Sequence, residues 1–413
     1  MNPKYSIIIP ARNGGKYLEA CIETIISQNY DDYELIISDD HSTDGTKNYL
    51  STLLKNPRVK IIEPSEELSM TEHWEWALSH ASGAWQIFVG QDDGLQPYFF
   101  KLADKLTKIA EQKKIRIIMS SRAYYFWQGC EPVYGDVSVA FVASDKVKIH
   151  NTTYEAAKAL LGIQNYFELP SMYTTSLFHK SILEEAREKQ QGKIFTCHPQ
   201  DANLAVIAVS LEKEYLKSYI PLGWVGSSIK SAGMSIGSQD KAFPKDIADT
   251  LKKLEKEYTE KIKKSKLKYN ELAGDFSFGD TSLYFWQAFL ETPTLRTEKS
   301  NRFLNSKLFK YVFFSSLQVR LWITKKNEKK QNEFKNILDK NNISLVFVYI
   351  IAVFFLFFRL VYKFFNFTYK AFRKVNNLIS SSTVRIYFNR SENKNLSITE
   401  ASDIVLKKMN NII

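Results

Sequence analysis

The chain has 413 residues, 44% of them hydrophobic and 24% charged, which is enough for two or three folded units and too apolar for wholesale disorder. Its three cysteines, Cys21, Cys130 and Cys197, lie far apart in sequence, which excludes a disulfide scaffold and a CxxC zinc site and fits a reduced compartment. The net charge of +11 is uneven: residues 1–240 carry about −5 and residues 241–413 about +16, so a mildly acidic half precedes one suited to an anionic partner.

Met1-Asn2-Pro3-Lys4 leads directly into an apolar run without the layout of a signal peptide, so export is not expected. Ser6-Ile7-Ile8-Ile9, ending at Pro10, reads as a buried strand, and Asn13-Gly14-Gly15 turns the chain. Leu18, Cys21, Ile22, Ile25 and Ile26 then recur at helical spacing. Leu35-Ile36-Ile37-Ser38 makes a second strand that stops at Asp39-Asp40, and Ser42-Thr43-Asp44-Gly45 starts the next helix. Val59–Ile62 is the third strand, Thr71–Ser82 a helix, Trp85–Val89 the fourth strand, Gln96–Gln112 a helix and Ile115–Met119 the fifth strand. Such alternation, with strands apolar on both faces, predicts a mostly parallel sheet with helices on both faces. Ligands in such sheets sit beyond the carboxyl ends of the strands. That directs attention to Ala11-Arg12-Asn13, to Asp39-Asp40 and to Gly90-Gln91-Asp92-Asp93.

Two adjacent carboxylates at a strand end repel one another. A hard cation such as Mg²⁺ or Mn²⁺ relieves that repulsion at Asp92-Asp93; a solvated turn leading into a helix accounts for the same residues. Asp39-Asp40 is open to the same two readings, a polar contact to a nucleotide or a helix-initiating turn.

Taken together, Tyr5-Ser-Ile-Ile-Ile-Pro-Ala-Arg-Asn13, Glu34-Leu-Ile-Ile-Ser-Asp-Asp-His-Ser-Thr-Asp-Gly45 and Ala81-Ser-Gly-Ala-Trp-Gln-Ile-Phe-Val-Gly-Gln-Asp-Asp93 resemble the family 2 glycosyltransferases of the GT-A fold. The likeness runs over roughly residues 4–125, more loosely to about residue 235, and Met70–Leu78 with Asp92–Pro97 is similar to a bacterial surface-polysaccharide subgroup. The resemblance implies that Pro10, Arg12, Asn13 and Asp40 contact the nucleoside. It also implies that Asp93 ligates a Mn²⁺ or Mg²⁺ ion bridging the donor diphosphate and that Asp92 meets the donor sugar or ribose. Two residues depart from the family pattern: Gln91 replaces the first acid of the usual triple, and Arg12 stands where many members have an aromatic residue.

Inverting transfer is a single displacement that needs a base opposite the leaving diphosphate. The family places an acid at the start of an apolar helix about a hundred residues after the metal motif, and Asp201, behind Pro199, fits that layout. An ordinary first-turn Asp favoured by the helix dipole is the plainer account. His198 is the second candidate base and, with Glu168 and Trp74, a candidate acceptor contact; Trp76 joins Trp74 in a stacking platform, although such aromatics also build cores. Lys230, in Ser227-Ser-Ile-Lys-Ser-Ala-Gly233, corresponds to a basic residue near the diphosphate.

The back half turns to a membrane surface. Phe303–Trp322 is a Phe-rich helix interrupted by Lys310 and Arg320, and Ile343–Phe358 is a run without charge. That run gives about 24 Å of helix against a hydrocarbon core of roughly 30 Å. Both flanks are basic, so a helix lying in the cytoplasmic face of the inner membrane fits better than a single span. No nucleic-acid module is present, and nucleic acid is not an expected partner.

The expected organisation is a GT-A domain over 1–235, a helical accessory segment over 236–300, membrane-associating helices over 301–375 and a C-terminal tail over 376–413. The resemblance implies transfer of one hexosyl or N-acetylhexosaminyl unit from a nucleoside diphosphate sugar to a lipid-linked glycan of the O-antigen or capsule type. A catalytically silent glycolipid-binding scaffold is one rival; retention of Asp40, Asp92, Asp93 and Asp201 speaks against it. A processive synthase is the other, and its Gln-x-x-Arg-Trp signature is missing.

Overall fold

The computed structural model describes residues 2–231, 234, 243–265, 267, 280–323, 328–357, 383–392 and 396–409. The first isoleucine run forms β1 (Tyr5–Ala11), flanked in parallel by β2 (Tyr33–Asp39) and β4 (Trp85–Phe88), with β3 (Val59–Ile62) outside β2. Ile8 enters one core while Ile7 and Ile9 enter the other, so both faces of β1 are covered and its sequence reads as an unbroken apolar run. Helices α1 (Gly15–Ile26), α2 (Thr46–Thr52), α3 (Met70–Leu78) and α4 (Phe99–Gln112) connect these strands. A capping box starts α3: the Ser69 hydroxyl accepts the Glu72 N–H, and the Glu72 carboxylate accepts the Ser69 N–H.

Strands β6 (Ile117–Ser120), β9 (Val147–Asn151), β10 (Ser176–His179) and β11 (Glu214–Ser218) complete an eight-stranded sheet in the order β3-β2-β1-β4-β10-β6-β11-β9. β9 and β10 run against their neighbours, so the sheet is mixed toward one edge rather than parallel throughout. Helices α5 (Glu131–Tyr134), α6 (Thr152–Leu160), α7 (Lys180–Lys189) and α8 (Gln200–Leu211) belong to this half. A second, five-stranded sheet was not anticipated. It comprises β5 (Gly94–Leu95), β7 (Ala123–Phe126), β8 (Val137–Ser144), β12 (Gly223–Ser227) and β13 (Thr383–Asn389), ordered β13-β8-β7-β12-β5.

The C-terminal third differs most from expectation. After α9 (Lys245–Lys264), helices α10 (Thr281–Glu291), α11 (Glu298–Asn305) and α12 (Lys307–Ile323) follow. Phe285 and Trp286 of α10 and Phe313, Phe314 and Leu317 of α12 are buried in the same core as Ile8, Trp74 and Phe178. Residues 281–323 therefore pack as a layer against the core of the larger sheet. The expected long helix breaks at Ser306, and Arg320 is tied down by a 2.9 Å ion pair to Asp280.

The expected tail folds back onto the first domain. β13 pairs antiparallel with β8, and α15 (Ile398–Met409) buries Ile398, Ala401, Val405 and Met409 in the core that holds α1. Tyr125 Oη donates to the Leu396 carbonyl at 2.7 Å and Trp224 Nε1 to Ser402 Oγ at 2.8 Å. Between these parts, α13 (Glu328–Lys340) and α14 (Leu345–Phe357) meet at 114°. Among the described residues no single helix is long and apolar enough to cross a membrane; this bent pair alone passes by length and composition. Phe358 to Phe372, including Arg359 and Lys363, lie outside the described residues.

Candidate active site

The carboxyl ends of β1, β2 and β4 converge on one cavity of about 550 Å³. Backbone and amide contacts stitch them together: Asp40 N–H donates to the Ala11 carbonyl at 2.8 Å, and Arg12 N–H to Gln91 Oε1 at 3.0 Å. The glutamine that stands in place of an acid thus holds the β1 loop against the β4 loop. Pro10, Arg12, Asp40, Trp74, Asp92, Asp201 and Lys230 all line this cavity.

Asp40 is nearly fully buried and accepts from Arg12 Nη1 at 3.1 Å, Lys261 Nζ at 2.9 Å and Leu68 N at 3.0 Å. Burial works to raise its pKa, but the Lys261 and Leu68 hydrogen bonds bring it below the usual carboxylate range. Lys261 belongs to α9, which presents Leu254, Glu257, Tyr258 and Lys261 to the cavity at the i, i+3, i+4, i+7 spacing of one helix face. This lysine-rich helix therefore supplies a wall of the site. From sequence it was indistinguishable from a solvated charged helix.

The two neighbouring aspartates point opposite ways. Asp93 is completely buried; its carboxylate accepts from Gly90 N at 2.9 Å, Gly226 N at 2.6 Å and the Thr174 hydroxyl, and it does not line the cavity. Its carboxylate, expected as a metal ligand, here anchors the β4 and β12 loops. Asp92 faces the cavity, with one oxygen accepting from Ser228 Oγ at 2.7 Å and from Ser231 Oγ. A methyl group on Gly226 would overlap the Asp92 carbonyl, so only glycine permits this close approach. Burial raises the pKa of both carboxyls, Asp93 to about 6 with the Asp92 charge adding to the effect.

Among the described residues no basic side chain pairs with either acid, and no group of three or more His, Cys, Asp or Glu is placed to hold a metal. An uncompensated carboxylate pair with one oxygen-bearing face toward a cavity suits a hard cation that takes one protein carboxylate and draws its other ligands from phosphate and water.

On the opposite wall, Asp201 opens α8 and accepts from Tyr166 Oη at 3.0 Å and from Ala202 N at 2.9 Å. Burial raises its pKa, while the Tyr166 hydrogen bond, the Ala202 N–H and the Arg122 charge oppose that rise. Trp74 stacks on Phe88 with ring centroids 4.1 Å apart, so it is wall and core at once; Trp76 packs on His80 and is not on the cavity.

Three further expected residues do not reach the cavity. The Asn13 side chain accepts from Thr43 N at 2.7 Å and braces the two loops, while its carbonyl accepts from Lys230 Nζ. Glu168 faces Lys217 at 3.9 Å and does not itself line the cavity. His198 is buried between Thr71 Oγ1 at 2.6 Å and Ser265 Oγ at 3.3 Å, and burial lowers its pKa to about 4. Sequence reading missed Arg122, Tyr124, Tyr134 and Tyr173, because no local pattern distinguishes an aromatic or basic residue on a strand end from one in a core.

Residues 6–150 match the family model described as glycosyl transferase family 2. A PGL/p-HBAD biosynthesis glycosyltransferase of Mycobacterium tuberculosis is 32% identical over 109 residues, which is 26% of this chain and 41% of that protein. The GalNAc(5)-diNAcBac-PP-undecaprenol beta-1,3-glucosyltransferase of Campylobacter jejuni is 35% identical over 95 residues, 22% of this chain and 31% of that protein. The chain thus spans less than half the length of these curated relatives. S. aureus TarS 1-349 in complex with UDP-GlcNAc superposes at a TM-score of 0.44 and 11% identity over 83% of this chain and 93% of that one, too loosely to bear on ligand or mechanism.

Proposed function

We propose, for a chain whose residues 6–150 belong to glycosyl transferase family 2, that the cavity transfers one sugar from a nucleoside diphosphate donor to a lipid-linked glycan acceptor with inversion. The supporting observation is that Asp92 and Asp201 line one cavity at the carboxyl ends of the central strands, one beside the donor loops and one at the start of α8. Asp201 Oδ takes the acceptor hydroxyl proton as the new C1–O bond forms. The bond from C1 to the diphosphate oxygen breaks on the opposite face, and its electron pair leaves with the diphosphate. Asp92 would hold a Mn²⁺ or Mg²⁺ ion, which supplies charge neutralisation to the leaving diphosphate. Tyr166 fixes the orientation of Asp201, and Trp74 and Tyr173 line the same cavity.

The test is a panel of nucleoside diphosphate sugars incubated with the full chain, lipid-linked glycans and Mn²⁺. One donor should release its nucleoside diphosphate in step with product whose anomeric configuration, read by NMR, is inverted. Retention of configuration, or no turnover with any donor while nucleotide binds, sinks this reading.

The Campylobacter relative is named for an undecaprenol-linked substrate, and a membrane-borne acceptor suits the outer face of α14. Val348 and Ala352 pack inward, while Val346, Phe347, Ile350, Val353, Phe354 and Phe357 are exposed. Replacing Phe347 and Phe354 with Asp should cut co-sedimentation with anionic vesicles at least about tenfold. Unchanged sedimentation removes α14 from the membrane contact. Confinement to the cytoplasmic face of a membrane raises the effective concentration of enzyme and lipid-linked acceptor for each other.

A further inference from the structure

Arg122 sits in the short link between β6 and β7 and lines the cavity beside Asp201. Its Nη2 donates to the Phe167 carbonyl at 2.7 Å, and its guanidinium lies 5.6 Å from the centre of the Phe167 ring. Its Nε is buried without a hydrogen-bond partner. Arg12, Arg116 and Arg390 are each paired with a carboxylate. Among the described residues no acid lies at ion-pairing distance from Arg122.

A guanidinium held in a protein wall without an anion is costly, and an arginine fork is the preferred donor to carboxylate and phosphate oxygens. The oxygens of Asp201 are taken up by Tyr166 and Ala202, so Arg122 acts on Asp201 through its charge; its fork meets the Phe167 carbonyl and the Tyr124 hydroxyl, and its Nε is left unpartnered. Around it stand Tyr124, Tyr134 and Phe167, the last two offering ring faces of the kind on which a pyranose stacks.

On the transferase reading, other basic side chains would face the donor's phosphates. Lys230 lies beside Asn13 and Asp44, and Lys261 lies on Asp40, both at the ends of β1 and β2. In a single displacement the base stands opposite the leaving diphosphate. A cation next to the base therefore meets the acceptor.

Resting on the transferase reading above, we infer that Arg122 reads an anionic group, a carboxylate or a phosphate ester, carried by the acceptor beside the hydroxyl that is glycosylated. Arg122 is thus a specificity-determining residue, and the acceptor is an acidic or phosphate-bearing glycan.

The test measures binding of three small probes to the full chain by ligand-observed NMR: phenyl β-D-glucuronide, phenyl phosphate and neutral phenyl β-D-glucoside. At least one anionic probe should bind about tenfold more tightly than the glucoside, and which one does so distinguishes a sugar acid from a phosphate. Arg122→Gln should bring the anionic probe to the level of the glucoside, Arg122→Lys should keep part of the preference, and nucleoside diphosphate affinity should hold in both. Should Arg122→Gln melt out in a thermal scan, Arg122→Lys carries the comparison. Equal binding of all three probes, a preference that survives Arg122→Gln, or a parallel loss of nucleotide affinity overturns the proposal. A chain that binds no nucleotide yet prefers the anionic probe sinks the transferase reading and leaves the anion site standing.

Discussion

Asp201→Asn should leave donor affinity within about twofold of wild type and lower the rate of sugar transfer by 10²–10⁴-fold, the range a positioned general base contributes. The amide keeps the size of the carboxyl; its oxygen can accept from the Ala202 N–H while its NH₂ donates to a rotated Tyr166 hydroxyl, so the start of α8 stays in place. What it loses is the ability to take a proton. Burial raises the Asp201 pKa, so the wild-type rate should also fall as acid protonates the carboxylate, and this acidic limb should vanish in the variant. Single-turnover transfer measured against pH, alongside donor calorimetry, checks both halves. Transfer within tenfold of wild type at neutral pH would place the base elsewhere.

The second large effect separates the two neighbouring aspartates. Asp92→Asn should abolish the Mn²⁺ dependence of nucleoside diphosphate binding, costing on the order of tenfold or more in affinity, with little change in melting temperature. Its side chain faces the cavity, and the Ser228 and Ser231 hydroxyls can still donate to an amide oxygen. Asp93→Asn should show the converse, lowering the melting temperature because an NH₂ group would face the Gly90 or Gly226 N–H. Calorimetry with and without Mn²⁺, paired with thermal melts, reads both. If Asp93→Asn alone removes metal-dependent binding in a protein that melts normally, the metal belongs to Asp93 after all.

Much of the central sheet was legible because parallel strands covered on both faces must be apolar throughout, as in Ser6–Ile9, Leu35–Ile37 and Trp85–Phe88. Polar clusters at the ends of such runs then fall on one edge, which is why Arg12, Asp40 and Asp92 could be gathered before any coordinates. Orientation within a pair was not legible. Asp92 and Asp93 differ by one step in a tight turn, and the choice rests on Gly226, which lies far along the chain and lets β12 come against that turn. The packing of residues 303–323 was hidden for a related reason. A charged residue on an apolar helix suggests an interface with lipid headgroups, yet the partner of Arg320 is Asp280, forty positions upstream and silent in any local window. The return of β13 to β8 depends on a pairing that spans almost the whole second half of the chain, which no periodicity encodes.

That return has a consequence for how the molecule is made. The outer edge of the smaller sheet and the side of α1 stay bare until β13 and α15 have left the ribosome. The sheet-bearing half lacks that cover until then, and its exposed strand edge is a hazard for self-association in the meantime. Shortened versions designed to keep only the family-matching residues would carry that same open seam.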